Sequence, residues 1–310
     1  MPQPFRFAVQ AHTAANKKQW IDQCRKAEDL GYSTISLPDH FGDQLAPVPA
    51  LMAAADCTTT LRVGTLVFDN DYKHPVVLAK ECATLDLLSE GRLELGIGAG
   101  WMLSDYEQSG IPYDSPGVRI DRMVEGIKVM RGLFADGEFS FEGKHYTITN
   151  MNGLPKPQQA GGPPFLVGGG GPRVLRIAGA MADIVGINAN LRAGVIGPDA
   201  GQDAVPANVD EKLSWVREGA GDRFNDLEIQ MRVHLVHVTD DRRGFAEMFA
   251  NGFGISTDDA LGTPLALVGS IGEIIETLIE RRERWGMSYL TFDSSYAELM
   301  APVVAALSGI

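Results

Sequence analysis

The sequence contains few cysteines and no run of apolar residues long enough to cross a membrane. Its three cysteines, Cys24, Cys57 and Cys82, include no CxxC pair. An odd number of cysteines without metal-ligand spacing predicts neither a disulfide framework nor a metal site. The first residues show no basic segment followed by a long apolar stretch, so we expect a cytoplasmic protein without a targeting or membrane segment.

Positive charge is also scarce. Lys and Arg number 27 against 40 Asp and Glu, which gives a formal net charge of −13. Because this charge repels a nucleic-acid backbone and an anionic membrane surface, the expected partner is a small-molecule substrate. Hydrophobic residues make up 45% of the 310 residues, which is enough for a substantial core.

Short apolar strands alternate with helical patterns along most of the chain. Two helices have clear starts, one where Asn16 and Gln19 can cap residues 17–30 and one where Ser270 and Glu273 form a capping box. The alternation predicts parallel strands with crossover helices, and eight such strands predict an α/β fold, a (β/α)8 TIM barrel, with residues 1–310 as a single domain. The predicted strands are residues 5–10, 33–37, 62–68, 92–97, 165–167, 182–187, 228–238 and 288–293.

Two excursions interrupt this alternation, one after strand 4 and one after strand 6. The first, at about residues 103–164, is predicted to contain a loop over 103–116, a helix, and a hairpin over 138–149 with its turn at Glu142-Gly143. The second, at about residues 190–226, begins with a segment rich in Gly, Ala, Pro and Asp. We interpret residues 190–209 as a mobile loop or lid, with disorder as the alternative.

A run of glycines separates the predicted fifth strand from a helix that begins at Pro172. Glycine has no Cβ atom, so an anionic group can approach the main-chain N–H groups closely, and the positive end of the following helix faces the same place. The arrangement predicts a phosphate-binding loop, and a glycine-rich connector without a ligand is the alternative. The glycines are Gly168, Gly169, Gly170 and Gly171.

The active site of such a barrel is built at the carboxyl ends of its strands. Asp39 and His40 follow strand 2, and a carboxylate beside an imidazole is a candidate acid–base or hydrogen-bonding pair. A loop-bracing pair is the alternative. Trp101, after strand 4, is a candidate ring platform or a packing residue. Other polar residues at strand ends are Gln10, His12, Asp69, Asn70, Asn188 and Asp293; of these, His12 and Asn188 join Trp101 as candidate substrate-pocket residues, although a structural role for His12 and Asp293 is the alternative.

Several motifs are matched in order along nearly the whole chain. They are SLPDHF at 36–41, VGTLV at 63–67, LGIGAGW at 95–101, GIPY at 110–113, PGVR at 116–119 and VGGGGPR at 167–173. Together they resemble the luciferase-like monooxygenase superfamily, and within it the branch that uses the deazaflavin coenzyme F420.

The resemblance implies a cofactor ring in the barrel mouth near Asp39 and His40, and a homodimer. It also implies a cis peptide between Leu66 and Val67 that backs the ring. The deazaflavin-dependent sugar-phosphate dehydrogenases of this family place a catalytic glutamate where this chain has Trp101, which argues against sugar-phosphate oxidation. The cofactor-binding residues implied are Asp39, Thr65, Leu66, Val67, Ala99, Gly100, Gly168, Gly169, Gly170 and Gly171.

These observations lead to the hypothesis of an F420-dependent oxidoreductase that transfers a hydride between deazaflavin C5 and a small organic substrate. In this hypothesis His40 exchanges the substrate proton, and Asp39 orients the ring or His40. One alternative is an FMN-dependent monooxygenase that uses reduced flavin and dioxygen. The other is a non-catalytic protein that binds flavin or deazaflavin.

Overall fold

The structure is a computed structural model that describes residues 3–190 and 198–310. Its strands are β1 (Arg6–Gln10), β2 (Thr34–Leu37), β3 (Arg62–Thr65), β4 (Phe68–Asp69), β5 (Leu93–Gly98), β6 (Phe139–Glu142), β7 (Thr147–Met151), β8 (Phe165–Gly169), β9 (Ile184–Ile187), β10 (Glu228–Val233), β11 (Leu235–Val238), β12 (Ala266–Gly269) and β13 (Met287–Asp293).

The α-helices are α1 (Lys17–Asp29), α2 (Pro47–Cys57), α3 (Pro75–Leu88), α4 (Leu103–Ser109), α5 (Pro116–Phe134), α6 (Pro172–Met181), α7 (Pro198–Gln202), α8 (Pro206–Ala220), α9 (Arg242–Phe253), α10 (Thr257–Gly262), α11 (Ile271–Trp285) and α12 (Ala297–Leu307). Two short 3₁₀ helices cover Gly221–Asp226 and Ser294–Tyr296.

The main sheet has the strand order β3-β2-β1-β13-β10-β9-β8-β5-β4, and β3 also pairs with β5. Neighbouring strands such as β1 and β13, β10 and β9, and β2 and β3 run parallel, with helices between consecutive strands. Predicted strand 3, residues 62–68, is split into β3 and β4, which both pair with β5 and share one strand position. The protein therefore has the α/β fold with a closed eight-stranded parallel barrel that the sequence predicts. Two small sheets, β6-β7 and β11-β12, are insertions.

The chain divides into two compact units. The first comprises Met1–Gln10, Ala27–Ser33 and Val167–Ile310, and its core includes a stack of Phe5, Phe7 and Phe292 with neighbouring ring centroids 6.0 Å apart. The second comprises residues 11–26 and 34–166, where every residue of β2 and β5 is buried. Burial on both faces is typical of parallel strands covered by helices.

The predicted helix caps are present. The N–H of Gln19 donates to Asn16 Oδ1 at 3.0 Å, and the Gln19 side chain in turn accepts the N–H of Ala15. At the start of α11, Ser270 and Glu273 form the reciprocal capping box. Both starts are therefore confirmed, because the cap residues meet main-chain donors that the first turn of a helix leaves unpaired.

The first excursion is partly as predicted. The antiparallel pair of β6 and β7 confirms the hairpin. The loop predicted over residues 103–116 is wrong in its first half, because Leu103–Ser109 forms α4 and ends at Gly110 with a φ of +75°. Seven residues give too short a pattern for helical periodicity to stand out in the sequence.

Predicted strand 7, residues 228–238, is wrong as one continuous strand. It breaks at His234 into β10 and β11, and the N–H groups of His234 and Leu235 both donate to the carbonyl of Leu265. Strand β11 pairs with β12, a strand that the sequence analysis misses. The sequence does not predict this break, since apolar residues continue on both sides of it.

The predicted mobile loop over residues 190–209 is wrong where the structure describes it, because α7 and the first turn of α8 occupy much of it. Residues 191–197 of that segment lie outside the described residues. A proline stands at the first position of each helix, where its missing N–H costs nothing.

Within residues 3–190 and 198–310, no helix is both long enough and apolar enough to span a lipid bilayer.

Gly96 provides a test of how closely β3 and β5 pack. A Cβ atom added there would overlap the carbonyl oxygen of Thr65, which belongs to rigid strand backbone. We expect Gly96→Ala to lower the free energy of unfolding by about 2 kcal/mol or more in urea denaturation. Gly42→Ala is the matched control, because no atom of the residues that the structure describes lies within 4 Å of its added Cβ. Equal effects of the two substitutions would contradict this account of the packing.

Candidate functional site

His40 lies at the centre of a polar cluster in the second unit. Its Nδ1 is hydrogen-bonded to Asp105 Oδ2 at 2.6 Å, and both side chains are largely buried. Tyr72 donates its hydroxyl to the same oxygen at 3.0 Å. The Trp101 ring meets the imidazole edge to face, with centroids 5.7 Å apart and an interplanar angle of 89°. The imidazole is thus fixed by a carboxylate at one nitrogen and by an aromatic ring at its side.

The Asp39 carboxylate, which the sequence analysis assigns to orienting the cofactor ring or His40, is hydrogen-bonded to the main chain of Asp69. Its Oδ2 accepts the N–H of Asp69 at 3.3 Å, whereas the imidazole of His40 is held by Asp105. Burial raises the pKa of the Asp39 carboxyl above its usual range, and the hydrogen bond from Asp69 opposes this rise. The orienting carboxylate of His40 is therefore Asp105, and the role of Asp39 toward a cofactor ring stays a prediction.

Asp69 is buried at the end of β4 and is held by two donors. The hydroxyl of Tyr106 donates to Oδ2 at 2.9 Å, and the N–H of Asp71 donates to Oδ1 at 2.9 Å. Burial raises the pKa of Asp69 to about 7, and the nearby carboxylates of Asp71 and Asp39 act in the same direction. Asp71 Oδ1 in turn lies 3.2 Å from Arg122 Nη1. A carboxyl that titrates near neutral pH therefore lies beside the candidate site.

The bond between Leu66 and Val67 is a cis peptide, which confirms the bond that the family resemblance implies. The preceding residue, Thr65, is committed to the neighbouring strand. Its hydroxyl donates to the carbonyl of Gly96 at 2.8 Å and accepts the N–H of Gly96 at 3.1 Å. Thr65 is 3% exposed, so its side chain positions the strand end, and its assignment to a cofactor stays a prediction.

The turn after β5 depends on Gly100. Its φ of +74° favours glycine, and a Cβ atom there would overlap the Tyr106 hydroxyl and the Asp69 carboxylate. Tyr106, in α4, and Asp69, in β4, therefore approach the bare main chain of the turn directly. This contact joins the candidate ring-backing turn to the carboxylate cluster.

Arg119 and Tyr113 hold the same turn from the side of α5. The buried Arg119 guanidinium donates to the carbonyls of Ala99 and Gly100 at 3.2 and 3.3 Å. It stacks on Tyr113 at 4.0 Å, and the Tyr113 hydroxyl donates to the carbonyl of Trp101 at 3.1 Å. The backbone under Trp101 is thus fixed independently of the Trp101 side chain.

His12, the other pocket candidate of this unit, is half-buried. Its carbonyl accepts the N–H of Leu45 at 2.9 Å, which ties the segment after β1 to residues 41–46. Asn70 donates its side-chain amide to the Tyr146 hydroxyl at 3.3 Å, which connects the end of β4 to the hairpin.

The glycine loop belongs to the first unit, where β8 gives way to α6. A Cβ atom on Gly170 would overlap the carbonyl of Ala189, and one on Gly168 would come within 3.3 Å of Asn188 Nδ2. The N–H of Asn188 donates to the carbonyl of Gly169 at 2.9 Å. The predicted strand, bare loop and helix start are therefore present, with Gly171 as the N-cap residue of α6.

Three residues of the candidate site are not predicted from the sequence: Asp105, Tyr72 and Tyr106. Asp105 and Tyr106 lie in the short helix that is predicted as a loop, and Tyr72 follows β4 in a turn. Their only sequence signal is their position shortly after a strand end, which many residues share.

The fold and these strand-end groups define a (β/α)8-barrel protein with its candidate site at the carboxyl ends of the strands. Residues 3–195 match the family model described as luciferase-like monooxygenase. The chain belongs to the luciferase-like monooxygenase family and is a luciferase-like oxidoreductase.

Curated relatives and solved structures are similar to the chain at low identity. An F420-dependent glucose-6-phosphate dehydrogenase of Amycolatopsis mediterranei is 29% identical over 171 residues, 53% of this chain and 51% of the relative. The chain thus spans about half the length of this relative. The structure of a coenzyme F420-dependent tetrahydromethanopterin reductase from Methanopyrus kandleri has a TM-score of 0.76 and 18% identity, covering 98% of this chain and 99% of the other. A riboflavin lyase structure with modified FMN also has a TM-score of 0.76, at 13% identity, covering 99% of this chain and 93% of the other.

The raised pKa of Asp69 has a consequence for stability. The folded state keeps the Asp69 proton up to about pH 7, whereas an unfolded aspartate loses it near pH 4, so this group's contribution to stability falls as pH rises between these values. Asp69→Asn replaces the titrating carboxyl with an amide and so removes this pH-dependent contribution to stability. We expect the stability of the wild type relative to Asp69→Asn to fall by on the order of 1–3 kcal/mol between pH 4.5 and pH 8 in urea denaturation.

Asp43→Asn is the control for this measurement, because Asp43 is exposed. Its stability difference from the wild type should change little over the same pH range. A difference for Asp69→Asn that is equally independent of pH would show that Asp69 is ionised throughout.

Proposed function

We propose that the protein is a coenzyme F420-dependent oxidoreductase that transfers a hydride between deazaflavin C5 and a small organic substrate. The observation that carries the proposal is the hydrogen bond between His40 and Asp105 beside Trp101 at the strand ends of the barrel. A relative and a solved structure of the same fold, both named as F420-dependent, support the choice of cofactor.

The residues present fit a phosphorylated flavin-type cofactor. Gly170 and Gly171 leave the start of α6 without side chains, and among residues 3–190 and 198–310 a Cβ atom on Gly171 would meet only Asn190 within 4 Å. Main-chain N–H groups at a helix start without such side chains suit a phosphate. In this proposal the glycines hold the phosphate, and the main chain at Leu66–Val67 and Ala99–Gly100 backs the ring.

When bound, the deazaflavin supplies C5, a carbon that accepts or releases a hydride. Asp105 occupies Nδ1 of His40, so Nε2 is the atom that exchanges a proton with the substrate. A carboxylate at the far nitrogen fixes the tautomer and stabilises the imidazolium when it forms. Trp101, packed against the imidazole, restricts its rotation.

The proposed substrate is planar or hydrophobic, not a sugar phosphate. Trp101 presents an apolar ring beside the proton-exchanging imidazole, which favours an apolar substrate surface at this position. Alcohols, carbonyl compounds and conjugated alkenes have the chemistry that a hydride and a proton together convert. An FMN-dependent monooxygenase on the same fold is the second candidate, because a solved structure of this fold contains modified FMN.

A fluorescence titration with oxidised F420 and, in parallel, FMN tests the proposed cofactor. We expect F420 to bind at least about tenfold more tightly than FMN, a difference of about 1.4 kcal/mol. The reverse preference would support the FMN-dependent alternative. Tight binding of F420 without turnover on a panel of alcohols, carbonyl compounds and alkenes would favour the non-catalytic alternative.

The His40–Asp105 pair is tested with the substrate that the wild type turns over in that panel. We expect His40→Ala to lower kcat about 100-fold or more while F420 affinity stays within about twofold, because the proton-exchanging group is lost. Asp105→Asn should lower kcat by about tenfold, since the imidazole loses its charged partner. His237→Ala, which removes an exposed imidazole, is the control. Wild-type turnover in His40→Ala would exclude this role.

A further inference from the structure

Lys212, in α8, is a buried cation that the proposed chemistry leaves unused. The residue is 2% exposed, and its ammonium group has three oxygen partners. These are the carbonyl of Asn188 at 2.8 Å, the carbonyl of Asp203 at 2.9 Å and Asp203 Oδ2 at 2.5 Å. A lysine ammonium has three N–H donors, so every donor of Lys212 is satisfied inside the protein.

The partners of Lys212 lead to the segment after β9. Asp203 Oδ2 also accepts the N–H of Asn190 at 2.6 Å. Lys212 therefore holds Asn188 directly and Asn190 through Asp203. Ala189 lies between the two fixed residues, so its main chain is held from both sides.

The fixed segment is the surface on which the glycine loop rests. The carbonyl of Ala189 and the N–H of Asn190 fill the space where a Cβ atom of Gly170 would stand, and Asn188 donates its N–H to the carbonyl of Gly169. Lys212 is therefore linked to the glycine loop by direct contacts through Asp203 and residues 188–190. A shift of residues 188–190 would displace the main chain of Gly169 and Gly170.

We propose that Lys212, with Asp203, is a positioning residue for the glycine loop and sets the affinity of the protein for the phosphate of its cofactor without touching that phosphate. This inference rests on the proposed function, in which the loop holds a phosphate. Burying the Lys212 ammonium is costly compared with packing an apolar side chain of similar size, even with the half-buried Asp203 carboxylate as its partner. A requirement for one fixed main-chain arrangement accounts for retaining this cation.

The test compares FMN with riboflavin, which differ by the phosphate alone, and F420 with its deazaflavin alcohol, which lacks the phosphate and the chain attached to it. Wild type, Lys212→Met and Asp203→Asn are titrated with F420 and with its unphosphorylated deazaflavin alcohol, and with FMN and riboflavin. We expect the wild type to prefer the phosphorylated member of at least one pair. Each variant should lose about tenfold or more of the affinity for that member, while affinity for the unphosphorylated partner changes by less than about twofold.

Arg281→Met is the matched control. Arg281 is another buried cation of the same unit, and it donates to the carbonyls of Thr263 and Ala266, not to the segment under the glycine loop. It should leave the preference for the phosphorylated member unchanged. An equal loss of affinity for both members in Lys212→Met and Asp203→Asn, or a loss of preference in Arg281→Met as well, would mean a general structural role and would overturn the inference.

The two proposals fail in different ways. A wild type that binds both members of each pair equally would overturn the phosphate role of the glycine loop, and the role of Lys212 with it. A wild type with a phosphate preference that persists in both variants would leave the proposed function intact and overturn the positioning role alone. Because Asp203 is 30% exposed in its side chain, Asp203→Asn keeps the test valid if Lys212→Met does not fold.

Discussion

The burial of carboxyl groups at the strand ends of the second unit governs the candidate site. Removal of a carboxylate from water is costly unless hydrogen bonds replace the lost solvation. Asp69 and Asp105 are buried, and tyrosine hydroxyls and a histidine supply their side-chain partners. Arg122 reaches Asp71 beside them. The need to satisfy Asp105 brings His40 and Tyr72 to one carboxylate, and this shared partner fixes the imidazole on which the proposed chemistry depends.

Close approach of bare main chain is the second constraint, and it joins the carboxylates to the barrel. Gly96 and Gly98 allow β5 to pack against Thr65 and Val67, and Gly100 admits the Tyr106 hydroxyl to the turn. Any side chain at these glycines would push apart groups whose hydrogen bonds require contact. The same principle acts separately in the first unit, where Gly170 lies against Ala189. In both units the position of a candidate ligand-binding main chain is set by neighbours that tolerate no Cβ atom.

The barrel could be predicted from the sequence because apolar strands and capped helices alternate with a regular period, and a parallel sheet needs that alternation. His40, Trp101 and the glycines could also be selected as candidate site residues, since strand ends and glycine runs are recognisable in a short stretch of sequence. Asp105 could not be predicted as the partner of His40, because the identity of a hydrogen-bonding partner depends on which loops fold over the strand ends. The burial of Lys212 could not be predicted for a related reason. A lysine in a helical pattern is usually exposed, and only the folded structure shows its three oxygen partners.

The backbone at position 101 is held by groups other than its own side chain, and in the proposed function this position sets the substrate preference. Tyr113 holds the carbonyl of residue 101, and Arg119 holds the carbonyls of Ala99 and Gly100, so the backbone does not depend on tryptophan. The side chain at this position then meets His40, whose Nδ1 is already occupied by Asp105. A carboxylate at position 101 would offer charge and hydrogen bonding to a polar substrate, whereas Trp101 offers an apolar ring. Because the backbone under this residue is fixed by other groups, we expect a change of side chain to alter which substrate is favoured beside the imidazole while the imidazole keeps its partner.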